Sequence, residues 1–264
     1  MDYSLWREIT ISVGTALGLI GFFRAQEQRK EANFLELVRE LSNSDSATLR
    51  ATAASQLPAY FNYRAYLFFK RPYRHQAFML AVHSLKEPNE ERFVRQEAVH
   101  ALHTMLLRRD TDEFPHPNLI GAKLDQLIMY GFPFDGADLT QASLRECDLG
   151  GASFARAKLW KAIVTHSKLS SANFSGAELW DADFSHSNLE RANFRNAKLN
   201  KVNFFNAALW GADFSGAELE NATLLTGNVD SQTRFDGAHL EGATISRRLV
   251  EVCKVDTKDL TVKD

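Results

Sequence analysis

Cysteine is scarce: the 264 residues hold 2, Cys147 and Cys253. Two thiols cannot staple a disulfide framework, and they point to a reducing compartment. Charge excess is missing too. Lys and Arg total 31 against 33 Asp and Glu, a formal net charge of −2. That balance argues against a dominant nucleic-acid surface, whose usual footprint is a basic domain. With 14 Gly and 6 Pro the chain is not collagenous. Between Glu8 and Arg24 the uncharged run, Ile9 to Phe23, falls short of the roughly 18 residues wanted for a membrane span. No Gly-rich phosphate loop, HExxH, GxSxG or paired CxxC occurs, so no enzyme class announces itself.

What the chain does have is order. Every fifth residue from Phe134 to Leu224 is large and apolar, and 18 of these 19 positions are Leu or Phe, with Val164 between. Two residues earlier stands a small residue, Ala at 14 of 18 positions, with Cys147, Ser167, Ser187 and Val202 as the others. A period of five fits neither helix nor strand. The chain must therefore turn at regular intervals, burying one large and one small residue each time. A second period closes the coil. Phe134, Phe154, Phe174, Phe194 and Phe214 recur at every twentieth position, as do Leu119, Leu139, Leu159, Leu179, Leu199 and Leu219. Four turns per coil give a four-sided solenoid with like residues stacked along a dry axis. At a strand spacing of about 4.8 Å, six coils make a rod roughly 30 Å long.

Ala172-Asn173-Phe174, Ala182-Asp183-Phe184 and Ala212-Asp213-Phe214 resemble the A-(D/N)-L-x-x motif of the pentapeptide-repeat family. The resemblance covers residues 118–245, half the chain, and implies a right-handed quadrilateral parallel β-helix. Fold does not fix function. Leu127 and Phe132 stand where small residues are expected, so the first coil should be irregular. One extra residue between Leu225 and Thr233 predicts a bulge. The repeat resumes at Phe235, Leu240 and Ile245 over Ala238 and Ala243. The tail, 246–264, can cap the open end through Leu249, Val250, Val252 and Val255.

The front half reads as helix, so the fold class expected is a multidomain α+β protein. The stretch 3–23, with Arg7 and Glu8 near one end, has the length for a tilted membrane anchor. Tyr3 and Trp6 suit an interfacial belt, and Arg24, Arg29 and Lys30 place the body on the cytoplasmic face of the inner membrane. The other reading of residues 1–30 is a helix packed on a soluble cytoplasmic body. Gly14 and Gly18 permit close helix pairing. Residues 31–117 should form a small helical domain. Pro72 fits the start of a helix running through Leu85, and Pro88 opens another to about Arg109. Glu91 to Leu102 resembles the inner helix of a HEAT-type repeat, and Arg50 to Leu57 does so more faintly.

Candidate sites are few. Trp160 and Trp180, one coil apart in the sequence, should stack on one outer face, with Trp210 and Phe205 in the same outward register on other sides. Exposed aromatics of this kind mark docking surfaces; packing against the helical domain or tail is the alternative. Asp138, Lys158, Glu178, Lys198 and Glu218 form a column of alternating sign, read as a charge ladder between coils. His166 and His186 stack without a third ligand, a poor metal site. Cys147 replaces an interior Ala, as an inert core thiol does. Arg64, Lys70, Arg71 and Arg74, interleaved with aromatics, could touch anionic headgroups. The expected function is a bacterial, non-enzymatic, membrane-tethered scaffold that presents a rigid side to a protein partner. No cofactor and no direct nucleic-acid contact are expected, and a homo-oligomer is allowed. Some members of the resembled family bind DNA gyrase through an acidic, DNA-like surface. That is the alternative here, and the alternating ladder weighs against it.

Overall fold

The structure, a computed structural model, describes residues 29, 32, 33, 36, 39, 54, 72–86, 91–107, 116–226, 228–255 and 260–263. The anchor expected at 3–23, and Arg64, Lys70 and Arg71, lie outside the described residues. No described helix is long and apolar enough to cross a membrane.

Helix α1 (Pro72–Lys86) begins on the proline that lacks an N–H to lose. Helix α2 (Arg92–Leu107) packs along it. Phe78, Ala81, Val82 and Leu85 recur at helical spacing on α1 and are buried, as are Val94, Ala98, Leu102 and Met105 on α2. Of the helix expected from Pro88 to about Arg109, Arg92–Leu107 is described; 88–90 and 108–109 lie outside the described residues.

The rod begins where Asp138 N–H reaches the Pro117 carbonyl at 3.0 Å. From there each coil pairs in parallel with the next: Asn118 with Asp138, Asp138 with Lys158, and so on in steps of twenty. Lys158 is typical, its N–H donating to the Ala137 carbonyl at 2.9 Å and its carbonyl accepting from Leu139 N–H at 2.7 Å. Corners are four-residue turns. In the turn Leu159–Ala162, the Ala162 N–H donates to the Leu159 carbonyl at 3.0 Å, and Lys161 has φ 55°. Positive φ at the third turn position is what a type II turn needs, which is why Gly or Asn often stands there. Histidine, lysine and arginine fill it elsewhere, as at His166, Lys201 and Arg191, φ 59°, 60° and 55°.

Inside, Phe134, Phe154, Phe174, Phe194, Phe214 and Phe235 form one column of stacked rings, with steps of 4.8 or 4.9 Å. Each fully buried ring or leucine contributes about 1.5–3 kcal/mol.

The expected irregular first coil is not found. Bridges Asn118–Asp138 through Pro133–Ser153 keep the common register, although Leu127 and Phe132 are large and buried. The reason is position: no coil precedes the first one, and α2 does. Phe132 leans between His103 of α2, centroids 5.2 Å apart, and Phe134, 4.3 Å apart. The extra residue is found where the spacing put it. Asn203 pairs with Thr223 at the ordinary step of twenty, but Asp213 pairs with Arg234, one place later.

At the far end β1 (Thr223–Leu224), β2 (Thr244–Ser246) and β3 (Thr261–Lys263) form a parallel sheet in that order. Helix α3 (Arg247–Cys253) follows β2, with the Ser246 hydroxyl accepting from Leu249 N–H at its start. Leu249 is fully buried, and Val250, Val252 and Val255 are partly buried against the core.

Candidate functional site

A filled, four-sided rod offers corners and flat sides rather than clefts. The outward residues after each central Leu or Phe occupy the corners, and stacking brings every twentieth one together. Trp160 and Trp180 stack with centroids 5.4 Å apart and planes 8° apart. They remain 38% and 43% exposed. Phe205 is 47% exposed on the next corner, with the His186 ring edge-on at 5.6 Å. Trp210, 41% exposed, is on the corner after that. The four aromatics thus divide into a pair and two separate rings. Of the basic cluster, only Arg74 falls on a described element, α1.

Charge around the pair is balanced. Lys198 Nζ lies 3.3 Å from Glu178 Oε1, one rung apart in the alternating column. Arg195 Nη1 lies 3.0 Å from Asp213 Oδ2 on the adjoining side. Exposed pairs of this kind are worth about 0.2–1 kcal/mol each, and they interrupt the acidic residues on these two sides.

The histidines form a column with Asn206: His166 and His186 stack at 4.8 Å with planes 2° apart, and Asn206 Nδ2 meets His186 Nδ1 at 3.1 Å. Parallel rings direct their in-plane lone pairs side by side, so they do not converge on one ion. Among the described residues no group of three or more His, Cys, Asp or Glu could hold a metal.

Both thiols are subdued. Burial pushes Cys147 up to about 12, and its Sγ donates to the Leu124 carbonyl at 2.9 Å. Burial, with Asp230 adding to it, pushes Cys253 up to about 11. Cys253 lines a polar cavity of about 960 Å³ at the end of the rod, beside Gln232, Arg234, Asp236 and Lys254. Arg234 and Asp236 neutralise each other there at 2.9 Å.

Three features escaped sequence reasoning. Tyr130, 69% exposed, shares the outward register of Trp210 but precedes Phe134, where the repeat was first counted. Its ring covers Gly150, where a Cβ would come within 3.0 Å of it. Gln96 of α2 pairs with Ile128 as a strand would, accepting from its N–H at 2.8 Å and donating to its carbonyl at 2.9 Å. Ser167 Oγ accepts from Cys147 N–H at 3.0 Å and donates to the Leu144 carbonyl at 2.6 Å. It completes a turn whose own backbone bond is open.

Parallel rungs turned every five residues define a β-helix solenoid. Residues 134–170, 167–204 and 203–225 match the model of the pentapeptide-repeat family, 8 copies in all; the rod is a pentapeptide-repeat domain. The chain is similar to HetL, a pentapeptide repeat protein involved in heterocyst differentiation regulation from the cyanobacterium Nostoc sp. strain PCC 7120. Identity is 26% over 54% of this chain and 65% of HetL, under two thirds of its length, with a TM-score of 0.35. QnrB1, a plasmid-mediated fluoroquinolone resistance protein, is 20% identical over 57% of this chain and 89% of its own, TM-score 0.32. A pentapeptide repeat protein of the Arabidopsis thaliana thylakoid lumen is 26% identical over 40% and 74%, TM-score 0.22. No curated protein matches the chain.

Proposed function

We propose that the chain is a non-enzymatic scaffold whose rod presents a rigid aromatic face to a protein partner. The observation that carries this reading is the Trp160–Trp180 stack, held at a corner of a regular solenoid yet left 38% and 43% exposed. Two large rings fixed on a stiff backbone lose little conformational entropy on docking, which is what an interface anchor requires. The buried Cys147 thiol and the stacked rather than converging histidines favour binding over catalysis.

The second part of the proposal is a tether, carried by residues 3–23, that holds the body at the cytoplasmic face of the inner membrane. It rests on the uncharged run Ile9–Phe23 followed by Arg24, Arg29 and Lys30. Carbonate extraction of membranes from the native host tests it. The full chain should resist carbonate, and Leu17→Arg, a charge in the middle of the run costing about 2.5–3.5 kcal/mol in a bilayer, should release it. Equal release of both overturns the tether.

Photo-crosslinking tests the face. Benzoylphenylalanine at 160 or 180 should give protein adducts in cells, and at Ser170 or Ser175, on other corners, should not. Adducts from all four positions or from none overturn the reading.

A further inference from the structure

The strip of surface around the tryptophan pair is complementary to itself. Count rungs along it from Asp138. The side column reads Asp138, Lys158, Glu178, Lys198, and the corner columns read Thr140, Trp160, Trp180, Asn200 and Gln141, Lys161, Asp181, Lys201. Place a second copy against this strip, antiparallel, with a two-fold axis between the rungs of Trp160 and Trp180. Each column then faces itself in reverse order, as an isologous interface requires. Asp138 meets Lys198 of the other copy, Lys158 meets Glu178, Lys161 meets Asp181, and Trp160 meets Trp180. Every charged pair is of opposite sign, and symmetry makes each one twice.

Other arrangements fail on the same residues. Sliding the copy by one rung sets Lys158 against itself or Glu178 against itself. Turning it parallel sets Lys158 against Lys161, Glu178 against Asp181 and Lys198 against Lys201, like charges on three of the four rungs. Sliding by two rungs keeps the signs of the side column but moves the tryptophans off each other. Only the antiparallel register centred between the two tryptophans satisfies charge and apolar contact together. The inserted residue also lies off this strip. The extra residue lies between Asn228 and Arg234, because Leu209 still pairs with Asn228 at the ordinary step while Phe214 pairs with Arg234 one residue late. Those are later sides of the coil. Lys198 already lies 3.3 Å from Glu178 in its own chain, so a second copy would extend this pair into a network, which is where surface charges gain strength.

We infer that the partner of the Trp160–Trp180 face is a second copy of this chain, docked antiparallel about a two-fold axis between those rungs. The inference rests on the reading of that strip as a docking face and names its occupant.

Charge swaps in the full chain test it. Sedimentation velocity should show a dimer that weakens with added salt. Lys158→Glu alone and Glu178→Lys alone should each weaken it by about tenfold or more, because each places like charges together twice. An equimolar mixture of the two variants should restore the dimer as a heterodimer, since Glu at 158 of one copy then faces Lys at 178 of the other, while the natural pair remains at the second contact. Restoration by mixing cannot come from a variant that fails to fold. A monomeric wild type, a dimer indifferent to both swaps, or a mixture no tighter than the single variants overturns the inference. A monomer whose position 160 crosslinks to other proteins overturns the inference and leaves the docking face standing. A monomer giving no adducts overturns both.

Discussion

The carboxylate of Asp230 takes the place of a backbone carbonyl for Gly211. In ordinary corners the third-position N–H donates to a carbonyl of the next coil, as Gly151 does to Ser170 at 2.9 Å. At the bulge Gly211 N–H donates to Asp230 Oδ1 instead, also at 2.9 Å. The same oxygen accepts from Gln232 N–H at 3.0 Å and from Thr233 N–H at 3.1 Å. One side chain thereby absorbs the inserted residue without interrupting the phenylalanine column.

Asp230→Asn should therefore destabilise the chain by about 1.5–3 kcal/mol at neutral pH, the range for hydrogen bonds to a charged group. Desolvation pulls the Asp230 pKa upward, but the hydrogen bonds from Gly211, Gln232 and Thr233 outweigh it and hold the group below its usual value. A depressed folded pKa gives stability that is present above the unfolded value, about 3.9, and is lost as pH falls through the folded one. In urea unfolding the gap between wild type and variant should thus close in acid. A gap constant from neutral pH down into acid contradicts the assignment.

Ser167 looks replaceable by the alanine that dominates its position, yet its hydroxyl bridges Cys147 N–H and the Leu144 carbonyl in the buried interior. Ser167→Ala should cost about 1–3 kcal/mol, the penalty for unsatisfied buried polar groups. An unchanged unfolding midpoint would mean that the turn closes on its own backbone bond.

Corner substitutions should split by sign. Gly216 has φ 69°, and an added Cβ would collide with the Asn196 carboxamide, so Gly216→Ala should lose about 1–2 kcal/mol. Lys201 sits at φ 60° with an exposed side chain; Lys201→Gly should be neutral or stabilising by up to about 1 kcal/mol. Thermal melts of the two variants settle whether backbone strain governs these positions.

Gln96→Ala should expose the first edge of the rod. Hydrogen exchange at the Ile128 amide, protected by Gln96 Oε1 at 2.8 Å, should accelerate, while amides in the middle coils stay unchanged. Stability should fall by about 1–3 kcal/mol, and an unpaired edge favours association with other chains.

The rod was legible because its physics is periodic. A five-residue repeat of Phe134 and its successors left room for nothing but regular turns, and the recurrence at every twentieth position fixed four sides and the Trp160–Trp180 stack. The inserted residue betrayed itself by shifting Phe235 one place. Single contacts left no such trace. Gln96 reaches Ile128 from a helix with its own period, far away in the chain, and Ser167 reads as one more small residue until its hydroxyl is placed. The first coil was misjudged because Phe132 was compared with its counterparts in the repeat, when its neighbour below is His103. A site built by symmetry between two copies is harder still to see, since the match lies in the reversal of a column that within one chain already makes sense as a ladder.

Pairing at a constant step, Asp138 to Lys158 to Glu178 to Lys198, makes the rod a ruler with two kinds of graduation. Duplicating one whole coil would lengthen it by one rung, about 4.8 Å, and leave every later column on its own side. Duplicating a single repeat would turn everything beyond it, the terminal helix included, by a quarter of the circumference. Length and bearing can therefore be changed separately during evolution, each by copying a segment that already folds.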